Sequence, residues 1–70
     1  MKLKVYIESE EDKYCAYLSP EYDYLGFYGE GYTPEEAEED FMLSYEEYKT
    51  EEISEGKDPK EYSFNFLICE

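Results

Sequence analysis

Residues 29–37 read Gly29-Glu30-Gly31-Tyr32-Thr33-Pro34-Glu35-Glu36-Ala37. Glycines two apart, just ahead of a helix, open many nucleotide-binding loops, but the third glycine of that fingerprint would fall at Pro34. Glu30, Glu35, Glu36, Glu38, Glu39 and Asp40 crowd the place where an anion would sit. A helix N-terminus attracts phosphate through free N–H groups and partial positive charge. Here the chain's own carboxylates already complement that charge. The stretch therefore reads as a strand that ends, turns and enters a capped helix. Thr33 suits the N-cap, Pro34 the first helical position, and Glu36, three residues after Thr33, makes a capping box.

Working forward, the helix is predicted to run to about Glu52–Glu55, ahead of Gly56 and Pro59. Its apolar stripe is Ala37, Phe41, Tyr45 and Tyr48, flanked by Met42, with Leu43 on the far side and partly exposed. Glu61 to Ile68 then alternates as a strand, with Tyr62, Phe64, Phe66 and Ile68 on its apolar face. Working backward, Tyr24 to Gly31 reads as a strand weakened by Gly26, Gly29 and Gly31, which mark a bulge or the close approach of another backbone. Ser19-Pro20-Glu21-Tyr22-Asp23 is a loop. Tyr14 to Leu18 is a strand joined through the polar turn Glu10–Lys13 to a first strand, where Leu3, Val5 and Ile7 alternate with Lys2, Lys4, Tyr6 and Glu8.

The order is β-β-β-α-β, an α+β fold in one domain over residues 1–70. Three hairpin-linked strands form a meander, and the helix covers one sheet face before delivering strand four. A right-handed crossover puts strand four beside and parallel to strand one, in a mostly antiparallel four-stranded sheet of order 3-2-1-4. The predicted core is Leu3, Val5, Ile7, Ala16, Leu18, Phe27, Phe64, Phe66 and Ile68 against Ala37, Phe41, Tyr45 and Tyr48. Cys15 and Cys69 then lie two strand spacings apart, roughly 9–10 Å, beyond the reach of a disulfide, about 7 Å between Cα atoms. Without histidine they make no zinc site either. The opposite sheet face carries Tyr6, Cys15, Tyr17, Tyr28 and Leu67, with Lys2, Lys4 and Asn65. Tyrosine is tolerated in water and favoured in strands, so this reads either as a plain solvent face or as an interface. The second reading, a homodimer or a protein partner, is the one favoured.

Composition narrows the function. Twenty acidic residues face six lysines, for a net charge of −14. Such a chain repels nucleic acid and anionic membranes, and suits a basic partner. Ten tyrosines and four phenylalanines in periodic segments argue against disorder. No apolar run spans a bilayer and the N-terminus has no signal-peptide pattern, so a cytoplasmic location is expected. A chain of this size buries only about 60% of its unfolded surface. No cofactor is expected. Nuclease chemistry needs several carboxylates converging on the sheet to hold metal ions; strand one offers only Glu8, at its end, so no catalytic or metal site is predicted.

Two segments, Lys4 to Leu18 (KVYIESEEDKYCAYL) and Gly26 to Glu39 (GFYGEGYTPEEAEE), together resemble the N-terminal domain of HicB-like antitoxins. Gly31, Thr33, Glu35, Glu36 and Ala37 match that family's helix-opening motif, and Tyr14 and Ala16 match its second strand. The resemblance implies a degenerate ribonuclease-H-like fold and a role in neutralising a small basic toxin that cleaves mRNA. Many members add a C-terminal DNA-binding domain; with strand four ending near Glu70, none is expected here. The expected function is thus an acidic protein-binding inhibitor of the antitoxin kind. Residues 35–55 hold ten carboxylates against Lys49, and Glu35, Glu38, Glu39, Asp40, Glu46 and Glu47 are the candidate partner-binding residues. A phage-type nucleic-acid mimic and an oligomerising domain of other role are the alternatives.

Overall fold

The computed structural model describes residues 2–69. Strands β1 (Lys2–Glu10) and β2 (Lys13–Leu18) form a hairpin, and a 3₁₀ helix (Pro20–Leu25) leads to β3 (Tyr28–Gly31). Helix α1 (Pro34–Ser54) and strand β4 (Ser63–Cys69) complete the chain. The sheet order is β3-β2-β1-β4, with β1 antiparallel to β2, β2 antiparallel to β3, and β1 parallel to β4. This is the α+β topology that the element order requires.

Helix α1 begins where the sequence places its cap. The Glu36 N–H donates to Thr33 Oγ1 at 3.1 Å. The return arm of the box lands one residue early: Glu36 Oε1 accepts from the Tyr32 N–H at 3.1 Å. Both bonds satisfy backbone donors at the entry to the helix. At the other end Gly56 N–H donates to Ile53 O at 3.0 Å and Lys57 N–H to Glu52 O at 2.8 Å. That pair of bonds is a Schellman stop.

The two glycines of β3 explain how the helix sits. An added Cβ at Gly29 would lie 2.2 Å from the Phe41 backbone nitrogen and 2.5 Å from the Ala37 carbonyl oxygen. One at Gly31 would lie 2.8 Å from the Ala37 nitrogen. The missing side chains let α1 rest directly on β3, answering the question raised by the glycine pair: it serves backbone approach. The helix consequently lies nearest β3 and β2.

The core is Leu3, Val5, Ile7, Ala16, Leu18, Phe27, Ala37, Phe41 and Tyr45, all buried. Rings bridge from the helix to β4: Phe41 lies 5.1 Å from Phe64 and 5.7 Å from Phe66 between centroids, both nearly perpendicular. The Tyr45 hydroxyl accepts from the Tyr62 N–H at 3.0 Å and donates to the Lys60 carbonyl at 3.4 Å, anchoring the connection into β4.

Three expectations need correction. The third strand is shorter than Tyr24–Gly31. Pro20 starts a helical turn instead, the Tyr22 N–H donates to Ser19 O at 2.9 Å, and Gly26 ends it in the left-handed region at φ 77°. Tyr24 prefers strands, but the proline and glycine at either end impose the turn. The fourth strand starts at Ser63, not Glu61. Ile68 pairs with buried Ile7, yet is 59% exposed. It sits on an edge strand far from a helix drawn towards β3, and only the long rings of Phe41 and Tyr45 reach across. For the same reason Phe64 and Phe66 are half-buried, as is Tyr48 at the rim.

Candidate functional site

Two surfaces carry the candidate residues, on opposite sides of the sheet. The first is the outer face of α1. Glu35, Glu39, Asp40, Glu46 and Glu47 are exposed and Glu38 is half-buried. Residues three and four apart are neighbours on a helix. Leu43, 60% exposed, is therefore ringed by Glu39 and Asp40 on one side and Glu46 and Glu47 on the other. It stands on the shared rim of three shallow open grooves, one of them lined by Glu35, Glu38, Glu39, Met42 and Glu46. The arrangement is an apolar knob in a field of carboxylates.

These acids are not equivalent. Asp40 Oδ2 accepts from the Glu30 N–H at 3.0 Å. It thereby caps the outer edge of β3, a position that otherwise invites unwanted strand pairing. Glu36 is engaged at the helix entry. Among the described residues the ion pairs are Lys13–Glu30, at 2.9 Å, and Lys57–Glu55, at 3.5 Å. Neither involves the outer helix face. Lys49, the base within α1, has its ammonium 5.1 Å from the Tyr45 ring centroid. Glu35, Glu38, Glu39, Glu46 and Glu47 are left without an ion-pair partner among the described residues. Self-repulsion among such charges weakens a fold and is relieved by screening. The melting temperature is therefore expected to rise between very low and physiological salt; a flat response in a salt series of thermal melts would contradict this.

The second surface is the open sheet face. Strand register aligns Leu67, Tyr6, Tyr17 and Tyr28 in one row across all four strands. Tyr6 and Tyr17 touch, with ring centroids 5.9 Å apart. The next row is Cys69, Glu8, Cys15 and Glu30. The thiols flank Glu8 and are free. Cys15 is buried, and its Sγ lies 3.4 Å from Glu10 Oε2. Glu8 pushes the Tyr17 phenol up to about 12, because its carboxylate favours the protonated hydroxyl as a donor. The Tyr28 phenol is raised chiefly by the neighbouring Cys15 thiol, with burial adding to it, and its hydroxyl donates to Glu30 Oε2 at 3.5 Å. The Lys13 ammonium is raised by its bond to Glu30. All five residues nominated for this face, Tyr6, Cys15, Tyr17, Tyr28 and Leu67, thus form one contiguous patch. The sequence also places Lys2, Lys4 and Asn65 on this face; it does not place Lys13 and Glu30 there, because register alone brings them here.

Among the described residues no group of three His, Cys, Asp or Glu side chains converges as a metal site, and no helix is long and apolar enough to cross a membrane. No family model, curated protein or solved structure matches this chain.

Proposed function

We propose that this chain is a protein-binding inhibitor of the HicB antitoxin kind, docking a small basic RNA-cleaving protein on the outer face of α1. The observation that carries the reading is the ring of carboxylates around exposed Leu43, with no cation paired to Glu39, Glu46 or Glu47 among the described residues. Carboxylates left free in the unbound protein are available to lysines and arginines of a partner without first breaking internal pairs. Their summed field accelerates encounter with a cationic surface. Leu43 supplies an apolar contact at the centre, where desolvated anchors contribute most to binding. The sequence resemblance to HicB-like antitoxins adds the partner class, a basic ribonuclease whose RNA-binding groove the acidic helix would fill.

The test is inhibition of RNA cleavage by a panel of basic ribonucleases, including any small basic protein encoded beside this one. A salt-sensitive complex is expected with at least one of them. Neutralising the free ring (Glu39→Gln, Glu46→Gln, Glu47→Gln) is expected to weaken it by about a hundredfold, taking about 1 kcal/mol per charge. These positions are exposed, so the variant keeps its fold. Absence of a salt-sensitive complex with every member of the panel would refute the proposal.

A further inference from the structure

The open sheet face has a charge order of its own. Along β1 the residues pointing that way run Lys2, Lys4, Tyr6, Glu8, Glu10: two bases, a tyrosine, two acids. The series is its own complement when reversed about Tyr6. The rest of the face is balanced in the same way. Lys13 pairs with Glu30, and β4 contributes uncharged Ser63, Asn65, Leu67 and Cys69. Among the strand side chains of this face three lysines therefore meet three glutamates, with Asp23 at its border in a groove shared with Tyr17 and Tyr28, so the face is close to neutral on a protein of net charge −14. Half of the chain's six lysines are gathered there.

We infer that this face binds a second copy of the chain, with the two sheets packed face to face about a two-fold axis through Tyr6. A two-fold interface brings the same patch of each copy together, so residue i meets residue j while j meets i. With the β1 strands running oppositely, Lys4 faces Glu8 and Lys2 faces Glu10 of the other copy, twice over. Same-face residues along a strand are spaced about 6.7 Å and packed sheets lie about 10 Å apart, a gap that tyrosine, lysine and glutamate side chains span. The row of Tyr6, Tyr17 and Tyr28, with Leu67, fills the centre. Tyrosine is enriched at such seams because its ring is apolar and its hydroxyl tolerates residual water.

Charge decides between occupants. A strongly basic partner gains nothing from a neutral face when the helix on the other side offers unpaired carboxylates. A nucleic acid finds no net positive charge here, because Glu8, Glu10 and Glu30 match Lys2, Lys4 and Lys13, and the protein as a whole, at −14, repels it. A second copy finds here a surface on which the general repulsion between two acidic bodies is replaced by local attraction. The helix face stays free in the dimer, so the two surfaces can be occupied at once and tested separately.

Sedimentation equilibrium over micromolar to millimolar concentrations tests the inference. The unaltered protein is expected to form a dimer. Lys2→Glu with Lys4→Glu, and separately Glu8→Lys with Glu10→Lys, are each expected to raise the dimer dissociation constant at least about tenfold, because like charges then face each other. Mixing these two variants restores association as a heterodimer. The fourfold exchange, which reverses the charge order but keeps it self-complementary and keeps the net charge, restores the homodimer. Tyr17→Glu, in the middle of the patch, shifts the protein towards monomer. Carbodiimide treatment of the unaltered protein joins Lys4 of one copy to Glu8 of another, a result that requires no variant to fold. A monomer at every concentration overturns the inference, as do charge-reversed variants that are folded by circular dichroism and dimerise like the parent.

Discussion

Gly29→Ala is expected to destabilise the protein by about 3 kcal/mol or more. A domain of this length has roughly 3.5–10 kcal/mol of stability to lose. The cause is steric and lies in the backbone. The new methyl carbon would stand 2.2 Å from the Phe41 nitrogen and 2.7 Å from its Cα. No rotamer change relieves such a contact, because the atoms it meets are main chain. The helix must lift away from β3, and with it go Ala37 and Phe41, both fully buried. Gly31→Ala meets the Glu36 Cβ at 2.5 Å and the Ala37 nitrogen at 2.8 Å, at the first turn of the helix, where a small shift is easier. It is expected to cost less, about 1–3 kcal/mol. Urea denaturation of both variants checks the order. If Gly29→Ala falls within about 0.5 kcal/mol of the parent, the range of an ordinary surface substitution, the direct seating of α1 on β3 is wrong.

Phe27→Ala is expected to cost about 3–5 kcal/mol, the range for removing a buried aromatic ring. Phe27 precedes β3 and is 5% exposed. Its ring meets Phe41, Tyr45, Tyr48, Tyr62 and Phe64 at centroid distances from 5.3 to 6.4 Å, all at steep angles. It joins the exit of the 3₁₀ helix, the middle of α1 and the start of β4, so its loss opens a cavity shared by three elements. Edge-to-face ring pairs contribute about 0.5–1.5 kcal/mol beyond the area they bury. Phe27→Leu, which fills much of the volume without the ring, is therefore expected to recover only part of the loss. Full recovery by leucine would mean that the ring geometry contributes nothing. Near-ultraviolet circular dichroism gives a second readout, since Tyr45, Tyr48 and Tyr62 lose a fixed neighbour.

The elements that could be read from the sequence are those decided locally. Thr33, Pro34 and Glu36 set the helix start through short-range bonds, and the alternation of Leu3, Val5 and Ile7 sets β1 through the two-residue period of a strand. The sheet order follows from element order and the constraint on crossovers. What could not be read depends on neighbours distant in sequence. Tyr24 and Leu25 look like strand residues until Pro20 and Gly26 are seen to close a helical turn around them. Ile68 looks like core until the helix is found displaced towards β3 by the glycines it rests on. The acidic helix was evident from composition, but which carboxylates remain free was not. Asp40 looks like Glu39 in sequence, yet binds the edge of β3. The order of charges along β1 was visible from the first ten residues; its meaning emerges only when register gathers Lys13 and Glu30 onto the same face.

The central claim is that the free carboxylates around Leu43 form the docking surface for a cationic protein. Amide chemical-shift mapping on the isotope-labelled chain, titrated with a basic ribonuclease that it inhibits, tests this most directly. Saturable shifts concentrated at residues 35–47 of α1, with the row of Tyr6, Tyr17 and Tyr28 unmoved, are the predicted result. Shifts confined to that tyrosine row, with the helix face silent, would contradict it.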